Sequence, residues 1–276
     1  MARQKRIALI NDITGFGRCS VTVQLPLISA MRVQACPLPT AILSVHTGFP
    51  NHYLDDYTDR MRPYMENWAA NALEFDAILT GFLGSERQIE VVLECIARFK
   101  QRTTQLVVDP VMGDNGSLYS SYTPALCAKM RQLLPQADVV TPNLTEACQL
   151  LGADYPTGGL VTEDELARMA AAIAAMGPRT VIITGLHADE NVRTYLYADG
   201  CGRSFDNPKV GRDRSGAGDA FSAIIAAALV RGIPLAEGVP RAADFIGHCL
   251  TYAEELDLPW NHGLPFEEFM GELTRL

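Results

Sequence analysis

The chain has 276 residues, 48% of them hydrophobic, which is enough to bury one large core. A formal net charge of −9, with no basic run longer than Arg3-Gln4-Lys5-Arg6, argues against a nucleic-acid-binding surface. No apolar stretch approaches the roughly 20 residues that span a bilayer, no secretory hydrophobic segment opens the chain, and the seven cysteines are scattered without a Cys-x-x-Cys pair. That pattern predicts reduced thiols in a cytoplasmic protein, with neither a zinc site nor a redox motif.

In chain order, Ile7 to Ile10 reads as a short buried strand ending at polar Asn11-Asp12. A helix is predicted from about Ser20 to Met31, a strand from Val33 to Leu38, and a helix from Asp55 to Leu73 with both aspartates in its first turn. Ala77 to Gly81 is strand-like. Glu86 to Phe99 is an amphipathic helix, with Ile89, Val92, Leu93, Ile96 and Phe99 on one face. Leu106 to Pro110 is a strand, Thr123 to Leu134 a helix, and Asp138 to Pro142 another strand. Helices follow at Leu144 to Leu151 and Glu163 to Met176, the second with Thr162 as its N-cap. Thr180 to Gly185 is again a buried strand. Val192 to Tyr197 and Arg203 to Phe205 alternate, as in an antiparallel hairpin, and helices at about 217–231 and 236–255 complete the pattern. Strands alternating with helices predict a doubly wound, mostly parallel α/β sheet with an antiparallel edge hairpin in the C-terminal third. No linker or repeat divides it, so residues 1–276 read as one domain.

Ligands in such folds bind at the carboxyl ends of the parallel strands. Polar residues stand at many of these ends: Asn11-Asp12, Gly81, Asp109, Thr141 to Asn143, and Thr184-Gly185. Gly216-Ala217-Gly218-Asp219 opens the long apolar helix. Without a Cβ at either glycine an anion can approach the backbone N–H groups, and the helix N-terminus adds partial positive charge. Asp219 beside that cradle suggests a base for an attacking hydroxyl. The same residues are also compatible with close packing and an ordinary acidic first turn. Asp109 leaves a buried strand into Pro110-Val111-Met112-Gly113-Asp114. Asn143 and Glu146, three apart, share one helix face after the next strand. Asp109 and Glu146 could hold Mg²⁺ against nucleotide phosphates, or could serve only as a loop cap and a helix-dipole partner. Gly15-Phe16-Gly17-Arg18-Cys19-Ser20 approaches a dinucleotide fingerprint, but Ser20 replaces the third glycine. No acid lies between Asp12 and Asp55 to hold a ribose. A Walker-type loop and a Gly-x-Ser-x-Gly elbow are absent from the sequence.

Together, Gly216 to Asp219, Asp109 to Asp114 and Thr141 to Glu146 resemble the motifs of the ribokinase superfamily. Ser44-Val45-His46-Thr47-Gly48, Gly81-Phe82-Leu83-Gly84-Ser85 and the Asn11-Asp12 pair give a sharper resemblance to its vitamin B6 kinases. The resemblance runs from about residue 5 to 255. It implies ATP and Mg²⁺ as cofactors, with a monovalent cation as a further expectation, and a homodimer. Asp219 would take the proton from a 5′-hydroxymethyl group, and Gly216, Ala217 and Gly218 would form the anion hole. Asp109 and Glu146 would organise the metal. Asp114, Tyr119, Asn143 and Thr184 would lie at the nucleotide. Asn11, Ser44 and Thr47 would meet the polar edge of the pyridine ring, with Phe82 against its face and His46 as ligand or structural support.

A hydroxymethylpyrimidine kinase shares this fold and chemistry. Such enzymes usually carry Gly-Gly-Ala-Gly where this chain has Gly15-Phe16-Gly17-Arg18. A sugar or nucleoside kinase would need an inserted lid, for which only Pro37 to Pro50 is available. A binding protein without catalysis on the same scaffold has no need of Asp219.

Overall fold

The structure is a computed structural model that describes residues 3–275. The chain begins with β1 (Arg6–Phe16), α1 (Val21–Ala30), β2 (Gln34–Val45), β3 (Leu54–Asp56) and α2 (Thr58–Ala70). β4 (Ala77–Thr80), α3 (Glu86–Phe99), β5 (Gln105–Val108) and a small hairpin of β6 (Gly113–Asp114) and β7 (Ser117–Leu118) follow. Next come α4 (Pro124–Met130), β8 (Val139–Val140), α5 (Leu144–Leu151) and α6 (Glu163–Ala174). The last elements are β9 (Thr180–Ala188), β10 (Asn191–Ala198), β11 (Cys201–Pro208), α7 (Ala217–Arg231), α8 (Leu235–Glu255) and α9 (Met270–Leu273).

Nine strands form one sheet in the order β11-β10-β9-β8-β5-β4-β1-β2-β3. The six from β9 to β2 are parallel, and β3, β10 and β11 add antiparallel edges. This is the ribokinase-like architecture expected. Strand alternation builds two cores. Ala8, Ile10, Ile78, Val108 and Val140 pack with α2 to α6 on one face. Ile7, Leu9, Leu79, Val107, Val139 and Ile182 pack with α1, α7 and α8 on the other. The hairpin between β10 and β11 turns at Asp199-Gly200, both at positive φ (51° and 78°), as a two-residue turn of this hand requires.

Several boundaries depart from expectation. β1 continues past Asn11-Asp12 to Phe16, with a register shift between Asn11 and Ile13. Its polar residues satisfy one another: the Thr14 and Ser20 hydroxyls both donate to Asp12, at 2.6 Å. The strand expected to end at Leu38 runs on to Val45. Asp55 and Asp56 lie in edge strand β3, not in a helical turn, and Asp56 accepts the Thr58 N–H at 2.8 Å where α2 begins. α4 stops at Met130 and passes into a 3₁₀ turn, Arg131–Gln136, that contains Pro135. The hairpin strands are longer than the alternating pattern suggested.

Candidate active site

Asn11 on β1, and Gly81, Asp109 and Thr141 one residue past the ends of β4, β5 and β8, sit at matching heights. They continue the strand face of Leu9, Leu79, Val107 and Val139, which looks toward α7. Asp219 meets this row from the first turn of α7. Its Oδ1 accepts from Asn11 Nδ2 at 3.0 Å and its Oδ2 from the Ser20 N–H at 2.8 Å. Burial pushes the Asp219 carboxyl up to about 6, with the nearby Asp12 charge adding to the rise and the two hydrogen bonds opposing it. Asp219 as a residue is only partly buried.

The loop that delivers the Ser20 N–H is strained. Gly17, Arg18 and Ser20 all have positive φ (119°, 48° and 55°). Gly216 is also left-handed (φ 86°), and a Cβ there would strike the Arg18 carbonyl. Close packing thus accounts for Gly216. It does not account for Gly218, where a Cβ would stand in open space. No side chain caps the first turn of α7, so its positive end is open to an anion.

Asp109 and Glu146 are 6% and 4% exposed. Burial raises both, the Asp219 charge raises Asp109 further, and the Asp109 charge does the same to Glu146. Among the described residues no Lys or Arg forms an ion pair with any of the three carboxyls. Glu146 accepts the Asn143 N–H at 2.9 Å in a capping box with the Asn143 side chain, and the Met112 N–H at 3.1 Å. Asn143 Nδ2 donates to Gly113 O at 2.8 Å, which ties the β6–β7 hairpin to α5. Glu146 is therefore a helix cap that also feels the charge of Asp109. Among the described residues no group of three or more His, Cys, Asp or Glu side chains could close around a metal. A cation here would draw its remaining oxygens from phosphate and water. The Thr141 hydroxyl is buried without a partner on the same sheet face as Asp109.

Around this centre, Asp114 is half-buried and burial raises its carboxyl; Tyr119 is 43% exposed on the segment after β7. Thr184 pairs with Asn143 through a β-bridge and is partly exposed. Phe82 is half-buried, edge-on to Tyr122 at 6.0 Å. Ser44 and Thr47 are exposed, and the Ser44 hydroxyl accepts the Tyr53 N–H at 2.9 Å. A surface depression of about 440 Å³ lies beside Ser44, lined by residues 50–53, and none of the three carboxylates borders it. His46 is buried with both ring nitrogens engaged. Nδ1 accepts from the Gly48 N–H at 3.1 Å, so Nε2 carries the proton and donates to Asn261 O at 2.8 Å. His46 thus holds its loop in place.

A C-terminal segment that no sequence motif marks supports these loops. Backbone carbonyls at Leu258, Pro259, Asn261 and His262 receive Arg214, Arg214, His46 and Arg18 respectively. Arg214 is buried immediately before the Ser215 to Asp219 turn and also pairs with Glu254 at 3.0 Å. The only sequence signal was apolar: Leu264, Phe266 and Leu273 are buried in the α7-side core. Arg214→Ala leaves the Leu258 and Pro259 carbonyls without their donor. It is expected to cost about 2 kcal/mol, seen as a reduced denaturation midpoint with unchanged m.

The phosphomethylpyrimidine kinase family profile matches residues 25–263. A hydroxymethylpyrimidine/phosphomethylpyrimidine kinase of Rhizobium meliloti is 29% identical over 90% of this chain and 91% of its own length. Pyridoxine kinase of Bacillus subtilis is 33% identical over 68% of each chain. The chain spans 37% of the chloroplastic thiamine biosynthetic bifunctional enzyme of Arabidopsis thaliana, at 32% identity. Among solved structures, a candidate phosphomethylpyrimidine kinase of Bacteroides thetaiotaomicron, in a crystal form with pyridoxal, superposes with a TM-score of 0.92. It is 35% identical and covers 99% of this chain and 96% of that one. Pyridoxal kinase of Lactobacillus plantarum gives 0.90 at 28% identity, covering 99% and 98%. The chain therefore belongs to the phosphomethylpyrimidine kinase family, the ribokinase-like small-molecule kinases whose members include both hydroxymethylpyrimidine and B6 kinases.

Proposed function

We propose that this protein transfers the γ-phosphoryl group of ATP to the 5′-hydroxymethyl group of a vitamin B6 vitamer. The observation that carries this acceptor is the pyridoxal in the crystal form of the 35%-identical Bacteroides protein. The chemistry follows from Asp219. The acceptor hydroxyl oxygen bonds to the γ-phosphorus, the bond to the β–γ bridging oxygen breaks, ADP leaves, and the hydroxyl proton moves to Asp219. The open N-terminus of α7 at Gly216, Ala217 and Gly218 stabilises the transferring phosphoryl group. Asp114, Tyr119, Asn143 and Thr184 border the nucleotide, and Ser44, Thr47 and Phe82 border the acceptor ring.

The buried carboxylates Asp109 and Glu146, with no ion-pair partner among the described residues, fit a divalent cation. Mg²⁺ bound there supplies charge neutralisation for the ATP phosphates. A second reading, phosphorylation of a hydroxymethylpyrimidine, is favoured by the family match and the Rhizobium relative. It uses the same base and anion site.

Incubation with ATP, Mg²⁺ and pyridoxal is expected to yield pyridoxal 5′-phosphate in equal amount to ADP. ADP formed without phosphorylated vitamer would remove the acceptor assignment. The base also sets a pH limb. Asp219 accepts a proton only when ionised, so kcat/KM falls about tenfold per unit as pH drops below about 6, and levels off above it. A limb unmoved from the ordinary carboxylate range near 4 would contradict that role.

A further inference from the structure

Asn11 was expected at the ring of the acceptor. Its hydrogen bonds are all made within the protein. The side chain is 0% exposed. Nδ2 donates to Asp219 Oδ1 and to Gln24 Oε1, both at 3.0 Å. Oδ1 accepts the Phe82 N–H at 2.8 Å and the Asp12 N–H at 2.9 Å. A side-chain amide has two donors and two acceptor sites, so none is left for a ligand. The orientation of the amide is also fixed: two backbone N–H groups can only donate, so the atom they share is the oxygen.

The ring of contacts closes behind Asn11. Gln24 is buried inside α1 and donates to Ser222 Oγ at 3.3 Å, and that hydroxyl donates to the Asp219 carbonyl at 3.2 Å. Gly81 leaves room for the arrangement, since a Cβ there would overlap the Asn11 amide. β1, α1, α7 and the segment after β4 thus meet at a single amide.

We propose that Asn11 is a positioning residue: it aims the Asp219 carboxylate at the acceptor hydroxyl and couples it to the Phe82 segment, without touching substrate. The proposal rests on Asp219 as the base. It assigns Asn11 to kcat and takes it out of acceptor affinity. A carboxylate released from its donor loses near-attack geometry, for which about a 10²-fold rate loss is typical.

The test is a double-mutant cycle with Asn11→Ala and Asp219→Asn, assayed by coupled ADP release and by direct pyridoxal binding. Asn11→Ala is expected to lower kcat about 10²-fold with KM and Kd for pyridoxal within about threefold of wild type. In the Asp219→Asn background the same change is expected to leave the residual rate unaltered. Multiplicative losses, or a tenfold rise in pyridoxal Kd with kcat preserved, would overturn the proposal. Near-wild-type turnover of Asp219→Asn alone would instead remove the base reading on which it rests. Gln24→Met conserves volume, deletes only the Asn11 and Ser222 contacts, and covers the case in which Asn11→Ala does not fold. It is expected to lower kcat severalfold at constant KM, and an unchanged kcat there would count against the proposal.

Discussion

Asp219→Ala is expected to retain ATP and acceptor binding while kcat falls about 10²–10⁴-fold, the range that a positioned general base supplies. The carboxylate sits in the first turn of α7, fixed through one oxygen by Asn11 and through the other by the Ser20 N–H. Neither contact is to a group that binds nucleotide in this account, so removing the carboxylate leaves the anion site at Gly216 to Gly218 formed. The loss therefore lies in turnover, not in affinity. Steady-state kinetics with separate equilibrium binding of both substrates checks it. A matched rise in KM and Kd with kcat preserved would make Asp219 a binding residue.

Asp109→Asn is expected to separate stability from activity. Asp109 and Glu146 are buried together, and their carboxyls are raised by burial and by neighbouring negative charge. A carboxyl whose folded-state pKa lies above its unfolded value contributes stability that is present below about pH 4. That contribution is lost as pH rises through the folded value. Burial raises Asp109 to about 8, so at pH 8 keeping it in the fold, part protonated and part as a buried ion, opposes folding, and the neutral amide removes that opposition. The variant is expected to gain about 1–3 kcal/mol at pH 8, a rise of several degrees in Tm, with the gain shrinking toward pH 4. The same change removes one of two carboxylates suited to a cation and is expected to lower kcat about 10²-fold or more. Thermal unfolding across pH, beside activity, reads both. A variant that is less stable and equally active would show that Asp109 serves the fold alone.

The fold was legible because its parallel strands are short apolar runs buried on both faces, and the helices between them carry ordinary caps at Ser85, Thr123 and Thr162. Asp109, Glu146 and Asp219 stood out as candidates for a related reason. A carboxylate at the end of a buried strand, or at a helix start after small residues, stands out against apolar neighbours. What could not be read was polar chain that folds as strand. Asn11, Asp12 and Thr14 look like a loop in sequence, but their partners Ser20, Gln24 and Asp219 lie 8, 13 and 208 residues away. The hydrogen bonds of Asn11 were hidden for the same reason: its four partners come from β1 itself, α1, α7 and the segment after β4. Asp55-Asp56 resembled a helical first turn, and pairing with β2 made it an edge strand. The support given by residues 258–262 was invisible because it works through backbone carbonyls, which any sequence supplies.

The central claim is the acceptor. Measuring kcat/KM for pyridoxal, pyridoxine, pyridoxamine and hydroxymethylpyrimidine, side by side with ATP and Mg²⁺ in one ADP-release assay, tests it most directly. At least one B6 vitamer is expected to exceed the pyrimidine by tenfold or more, about 1.4 kcal/mol of transition-state discrimination. A higher kcat/KM for hydroxymethylpyrimidine than for all three vitamers, or no ADP release with any of the four, would contradict the account.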